Sequence, residues 1–113
     1  MRKLVLTVFV LVLSINFMKA ENVLLSPFKT TNGAVPFDKI THEDYEPAIL
    51  AGIKASQAEI DAIVNNAQTP DFENTIAALD RCGEDLNRVL GVFYALCEAD
   101  SDDELLAISE KMT

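Results

Sequence analysis

A single histidine, two cysteines, and nine lysines and arginines against 18 acidic residues set the first limits on this 113-residue chain. One imidazole cannot build the paired histidines, four residues apart on one helix face, that hold the metal of zinc proteases; four beyond His42 stands Glu46. Capping and solvation at a helix start therefore explain His42-Glu43-Asp44-Tyr45-Glu46 better than metal binding does. Cys82 and Cys97 fall on one proposed helix, about 22 Å apart at 1.5 Å per residue, whereas a disulfide needs Cα atoms within about 7 Å. Both lie on or beside an apolar stripe, where a free cysteine acts as a small hydrophobe, and nothing nearby marks either as a nucleophile. Asp102, Asp103 and Glu104 are consecutive, so on a helix they point in different directions and read as first-turn acids rather than a cation site. There is no glycine-rich phosphate loop, no Ser/His/Asp or Cys/His arrangement and no basic aromatic patch. The residues alone assign no catalytic, cofactor-binding or metal-binding position.

What is present begins with a leader. Met1-Arg2-Lys3 is basic, Leu4 to Leu13 is apolar but for Thr7, and Ser14 to Ala20 turns polar and ends on a small residue. That is the order of a secretory signal peptide, residues 1 to 20, with cleavage expected after Ala20. The apolar run is about half the roughly 20 residues that a membrane span requires, so no stable membrane insertion is expected after cleavage. No cysteine follows the run, which argues against a lipid anchor. Beyond Ala20 the chain holds 6 Lys and Arg against 18 Asp and Glu, a net charge of −12 that repels nucleic acid and anionic lipid.

The organising stretch runs from Thr69 to Cys97. Phe72, Ile76, Leu79, Gly83, Leu86, Leu90, Phe93 and Cys97 recur at alternating steps of four and three, and Cys82, Val89 and Leu96 widen the row. The pattern reads as one long helix, capped by Thr69 with Pro70 at its first position and Asp71 and Glu73 in its first turn. An earlier helix is expected from Thr41-His42-Glu43-Asp44, with Pro47 causing a kink or a restart near Tyr45, and with Asn66 able to supply a left-handed cap. The short connection makes the two antiparallel, residues from about 45 to 66 against about 72 to 99, with Ile49, Ile53, Ile60 and Ile63 facing Leu79, Leu86, Leu90 and Phe93. Residues 21 to 41 carry Pro27, Pro36 and Asn32-Gly33 and read as an extended arm, turning at Thr31-Asn32-Gly33 and docking Leu25, Phe28 and Phe37. A third helix starts at Ser101-Asp102-Asp103-Glu104, spaced as a capping box, and is still periodic at Thr113, which suggests a longer parent chain. The fold class is all-α: an antiparallel pair of long helices and the start of a third, residues 42 to 113, behind an extended arm. The face of Leu86, Val89, Leu90, Phe93 and Leu96 is expected to need helices beyond Thr113 to cover it.

Asn22-Val23-Leu24-Leu25-Ser26-Pro27-Phe28, Val35-Pro36-Phe37-Asp38-Lys39-Ile40, His42-Glu43-Asp44-Tyr45-Glu46-Pro47-Ala48 and, most specifically, Pro70-Asp71-Phe72-Glu73-Asn74-Thr75-Ile76 follow one another in order. This series resembles the opening of bacterial peptidyl-dipeptidases, the dipeptidyl carboxypeptidases of the thimet-oligopeptidase family of zinc metallopeptidases. The family usually has threonine where this chain has Asp71, a local variation at a helix start.

The resemblance implies a helical enzyme of two lobes around a channel that admits short peptides, with zinc held by a His-Glu-x-x-His helix and a further glutamate. In that chemistry the metal polarises the scissile carbonyl and activates a water, and the motif glutamate carries the proton. None of those residues is in this sequence, so zinc belongs to the parent enzyme and none to this segment. The partners implied are short peptide substrates and the remaining helices of the parent chain. Export, to the periplasm or as a secreted protein, and release of carboxy-terminal dipeptides are the expectations. The alternative is a stand-alone secreted helical module that binds or builds and does not catalyse.

Overall fold

The computed structural model describes residues 21–112; the expected signal peptide and the last residue lie outside them. Four α-helices follow a turn-rich arm: α1 His42–Val64, α2 Ala78–Arg81, α3 Glu84–Ala99 and α4 Asp103–Met112. A π-helical segment, Phe72–Ala77, runs directly into α2. No strand occurs among the described residues, and the fold is all-α.

Helix α1 starts where the sequence places its cap. The Asp44 carboxylate accepts from both the backbone N–H and the hydroxyl of Thr41, each at 2.9 Å, and satisfies a donor that the first helical turn leaves open. The expected kink at Pro47 is absent as a break: α1 is helical from His42 through Val64 with the proline inside. Its end also differs from expectation. Asn65 closes the helix through its backbone N–H and side-chain amide, both donating to the Asp61 carbonyl. Asn32 is the one described non-glycine residue with positive φ, so Asn66 adopts no left-handed cap.

The long second helix is two helices. Cys82 is extended and Gly83 takes φ 78°, a left-handed conformation that glycine enters without the steric cost of a Cβ. The start also shifts: Asp71, not Thr69, is the cap, its carboxylate accepting from Asn74 N–H at 2.7 Å while the Asn74 side chain accepts from Asp71 N–H at 2.9 Å. Pro70 therefore precedes the helix. Aspartate and threonine both serve at such a cap, so Asp71 fills the role that the resemblance would give a threonine. At α4 the cap is also later than expected, here by one residue, Asp102 rather than Ser101, with Oδ1 accepting from Leu105 N–H at 2.8 Å.

α1 and α3 are antiparallel. Tyr45 stacks in a tilted arrangement on Phe93 with ring centroids 5.2 Å apart, Gly52 lies on Leu86, and Glu59 accepts from Gly83 N–H at 2.8 Å, so positions advance along α1 as they recede along α3. The core is Leu24, Tyr45, Ala48, Ile49, Val89, Val92, Phe93 and Leu105, drawn from the arm and three helices. Full burial of an aromatic such as Phe93 contributes about 1.5–3 kcal/mol.

The facing rows therefore need correction. Ile49 and Phe93 meet in the core, but Ile53, Ile60 and Leu79 are exposed, and Ile63, Leu86 and Leu90 are half-buried. The reset at Gly83 is the cause: α3 turns Val89, Val92 and Phe93 inward, and α1 meets it along Tyr45, Ala48, Ile49 and Gly52. Val89 and Phe93 are covered within the described residues by α1, the arm and α4, so the face expected to lie open there is closed at its centre.

The arm is three short 3₁₀ turns, Val23–Leu25, Thr31–Gly33 and Phe37–Lys39, rather than extended throughout. Leu24 is the buried anchor, while Leu25 and Phe37 face outward and Phe28 packs at the edge of the core. Asn22 fixes this register by accepting from Leu24 N–H at 3.0 Å and donating to the Asp44 carbonyl at 2.8 Å.

Candidate functional site

The sole histidine joins two helices. His42 Nδ1 lies 2.8 Å from Glu104 Oε2 and Nε2 lies 3.3 Å from Asp102 Oδ2, so the first turn of α1 is tied to the start of α4. The hydrogen bond to Glu104 raises the imidazole pKa above its ordinary value of 6.5, burial opposes it, and the charges of Asp102 and Glu104 add to the rise. The role expected from sequence, capping and solvation, is thus replaced by a bridge. Asp102 and Glu104 do more than occupy a first turn: one caps α4 and both hold the histidine.

Both cysteines are free and half-buried. Burial pushes the Cys97 thiol up, with the Asp102 charge adding to it, which lowers its thiolate fraction. Cys82 donates its thiol to the Ala78 carbonyl at 3.3 Å. Tyr45 is buried, its hydroxyl has no hydrogen-bond partner among the described residues, and desolvation raises its pKa.

Two cavities bear on chemistry. One, about 420 Å³, lies between the last turns of α1 and the segment from Phe72 to Cys82; Glu59, Glu73 and Arg81 are its charged lining and Ala62, Ile63 and Ala78 its apolar lining. The other, about 450 Å³, is bounded by His42, Glu46, Leu50, Glu104 and Ile108, between α1 and α4. Cys82 also lines the first cavity, but its thiol donates to the Ala78 carbonyl rather than to Glu59 or Glu73. Among the described residues no group of three or more His, Cys, Asp or Glu side chains is placed to hold a metal ion, and no helix is long and apolar enough to cross a membrane.

Relatives supply a guide that this geometry does not. The chain is 46% identical over 77 residues, 68% of its length, to the dipeptidyl carboxypeptidase of Escherichia coli (strain K12). It is 40% identical over 91 residues, 80% of its length, to the dipeptidyl carboxypeptidase of Salmonella typhimurium (strain LT2). The chain resembles part of the dipeptidyl carboxypeptidases. It spans 11% and 13% of the length of these two relatives. No protein-family model matches it.

Arg88 is a further residue that sequence reasoning passed over. It pairs with Asp85 and reaches the Leu24 carbonyl at 3.4 Å, joining α3 to the arm. Its only signal was an Arg three residues after an Asp on a helix, a spacing too common to single out.

Proposed function

We infer that this chain is the amino-terminal helical part of an exported zinc metallopeptidase of the thimet-oligopeptidase type, one that hydrolyses short peptides and releases carboxy-terminal dipeptides. Residues 1 to 20 act as its periplasmic signal, residues 21 to 41 as an arm, and residues 42 to 113 as part of the lobe that walls the peptide channel. The observation that carries this reading is 46% identity over 77 residues to a dipeptidyl carboxypeptidase.

The residues of this chain do not fit a zinc site. The one imidazole has its nitrogens facing Glu104 of α4 and Asp102, the residue that caps it, and among the described residues neither cysteine has a neighbouring ligand set. Metal and general base are therefore assigned to the remainder of the enzyme. What this segment does is positional: Tyr45, Phe93, Leu24 and Leu105 lock three helices and the arm into one body on which the rest of a channel wall can be built.

Sequencing the gene beyond codon 113 tests the reading. A continuing frame with His-Glu-x-x-His, whose product releases dipeptides from blocked peptides, is the expected result; a stop directly after Thr113 overturns it. A stand-alone secreted helical module is the second reading. It is favoured by one observation, that Val89 and Phe93 are already covered without further helices.

A further inference from the structure

One side of α1 carries a row of apolar side chains that the described residues leave 40–75% exposed. Ile53 is 49% exposed, Ile60 40% and Val64 75%, and Leu50, one turn earlier, is 52% exposed. At 100° per residue these four fall within one quadrant of the helix, beside the face that α3 occupies, and only Gln57, hydrogen-bonded to Asp61, interrupts them. From Leu50 to Val64 the row is about 21 Å long, four helical turns.

The start of this row is where α4 already lies. Glu104 meets His42, Lys111 further along α4 meets Glu46 further along α1, and Ile108 shares a cavity with Leu50. The two helices thus advance in the same sense, with the carboxyl end of α4 directed along α1 toward Ile53. The inner row of α4, Leu105, Ile108 and Met112, packs on the core side and has the same three-and-four spacing as a helix that would lie on the exposed row.

We propose that Ile53, Ile60 and Val64 seat the helix that follows α4 in the full-length enzyme, a continuation with its apolar row in register with Leu105, Ile108 and Met112; this rests on the proposed reading of the chain as part of a longer peptidase. The occupant is a segment of the same polypeptide rather than a second copy. The relatives extend well beyond the region matched, and a second copy would bring a like charge against this one, −9 for the whole chain and −12 for residues 21 to 113.

Thiol labelling of the full-length enzyme, read peptide by peptide by mass spectrometry, tests the seat. Ile60→Cys and Val64→Cys are compared with Lys54→Cys, an exposed position on the same helix but off the row. In the full-length enzyme the two row positions are expected to label at least tenfold more slowly than Lys54→Cys, and in the 113-residue chain at a similar rate. An enzyme that releases dipeptides yet labels Ile60→Cys as fast as Lys54→Cys overturns the seat and leaves the peptidase reading standing. A frame that ends at Thr113 overturns both. Slow labelling of the short chain that deepens with concentration assigns the row to self-association and overturns the proposal.

Discussion

A Cβ placed on Gly52 would lie 2.9 Å from the Cα of Leu86, closer than such atoms come in folded proteins. Gly52 is thus the point at which α1 and α3 touch backbone to backbone, and the hydrogen it carries sets their separation.

Gly52→Ala is expected to destabilise the chain. Alanine gains about 1 kcal/mol of helix propensity, but pushing two backbones apart in a packed seam costs about 1–3 kcal/mol. Thermal melting followed by circular dichroism should move down, and a melt at or above wild type would contradict the close approach.

At Gly83 the expected order of variants separates backbone from packing. Gly83→Ala forces a side chain into left-handed φ, at about 1–2 kcal/mol, and brings its Cβ to 3.1 Å from Ser56 Oγ. Asparagine enters that region more readily, so Gly83→Asn should melt between wild type and Gly83→Ala. Equal melts for the two variants would show that φ does not govern this break.

Tyr45→Phe keeps the ring against Phe93 and removes a buried hydroxyl without a partner among the described residues. Such a group costs about 1–3 kcal/mol when left unpaired, so the variant should match or exceed wild type in denaturant midpoint. A clear loss would reveal an acceptor for that hydroxyl.

The His42 bridge predicts a pH dependence of definite sign. Its pKa in the folded chain is raised above 6.5 by Glu104 first and by the charges of Asp102 and Glu104. The stabilisation is complete below 6.5 and is lost as pH rises through the raised value. Melting temperatures measured from about pH 5 to pH 9 should fall across that window in the wild type and lose this component in His42→Gln. Glu43 and Glu46 line the same cavity and belong in the controls.

Residues 21 to 113, incubated with zinc and dialysed, are expected to retain no stoichiometric metal and to cleave no blocked peptide, for want of ligands and base. Zinc kept at one per chain, with turnover abolished by His42→Ala, would place the active centre here after all.

Local chemistry made much of this architecture legible. Thr41 with its acids announced α1, Asn32-Gly33 announced a turn, and the polar run at Asn65 marked the helix end, because caps and turns depend on a few neighbouring residues. The break at Cys82-Gly83 was hidden by the periodicity itself: Gly83 occupies an apolar position, and a count of rows does not distinguish a small packed residue from a backbone reversal. Leu24 and Leu25 are adjacent, and contacts from across the fold, Asn22 to the Asp44 carbonyl and Arg88 to the Leu24 carbonyl, fix which turns inward. His42 joins Glu104 across 62 positions, and no local pattern carries that. The peptidase reading was legible only through resemblance, because no arrangement of residues in this chain marks that chemistry by itself.

The left-handed residue at Gly83 also separates the histories that the flanking helices can have. In an unbroken helix one inserted residue rotates everything beyond it by about 100°, so a length change near Phe72 would turn Val89 and Phe93 out of the core. With the ladder interrupted at Gly83 and α3 pinned by Glu59, such a rotation stops at the junction. One residue inserted near Phe72 is therefore expected to leave α1 and α3 in registration, with Val89 and Phe93 still in the core.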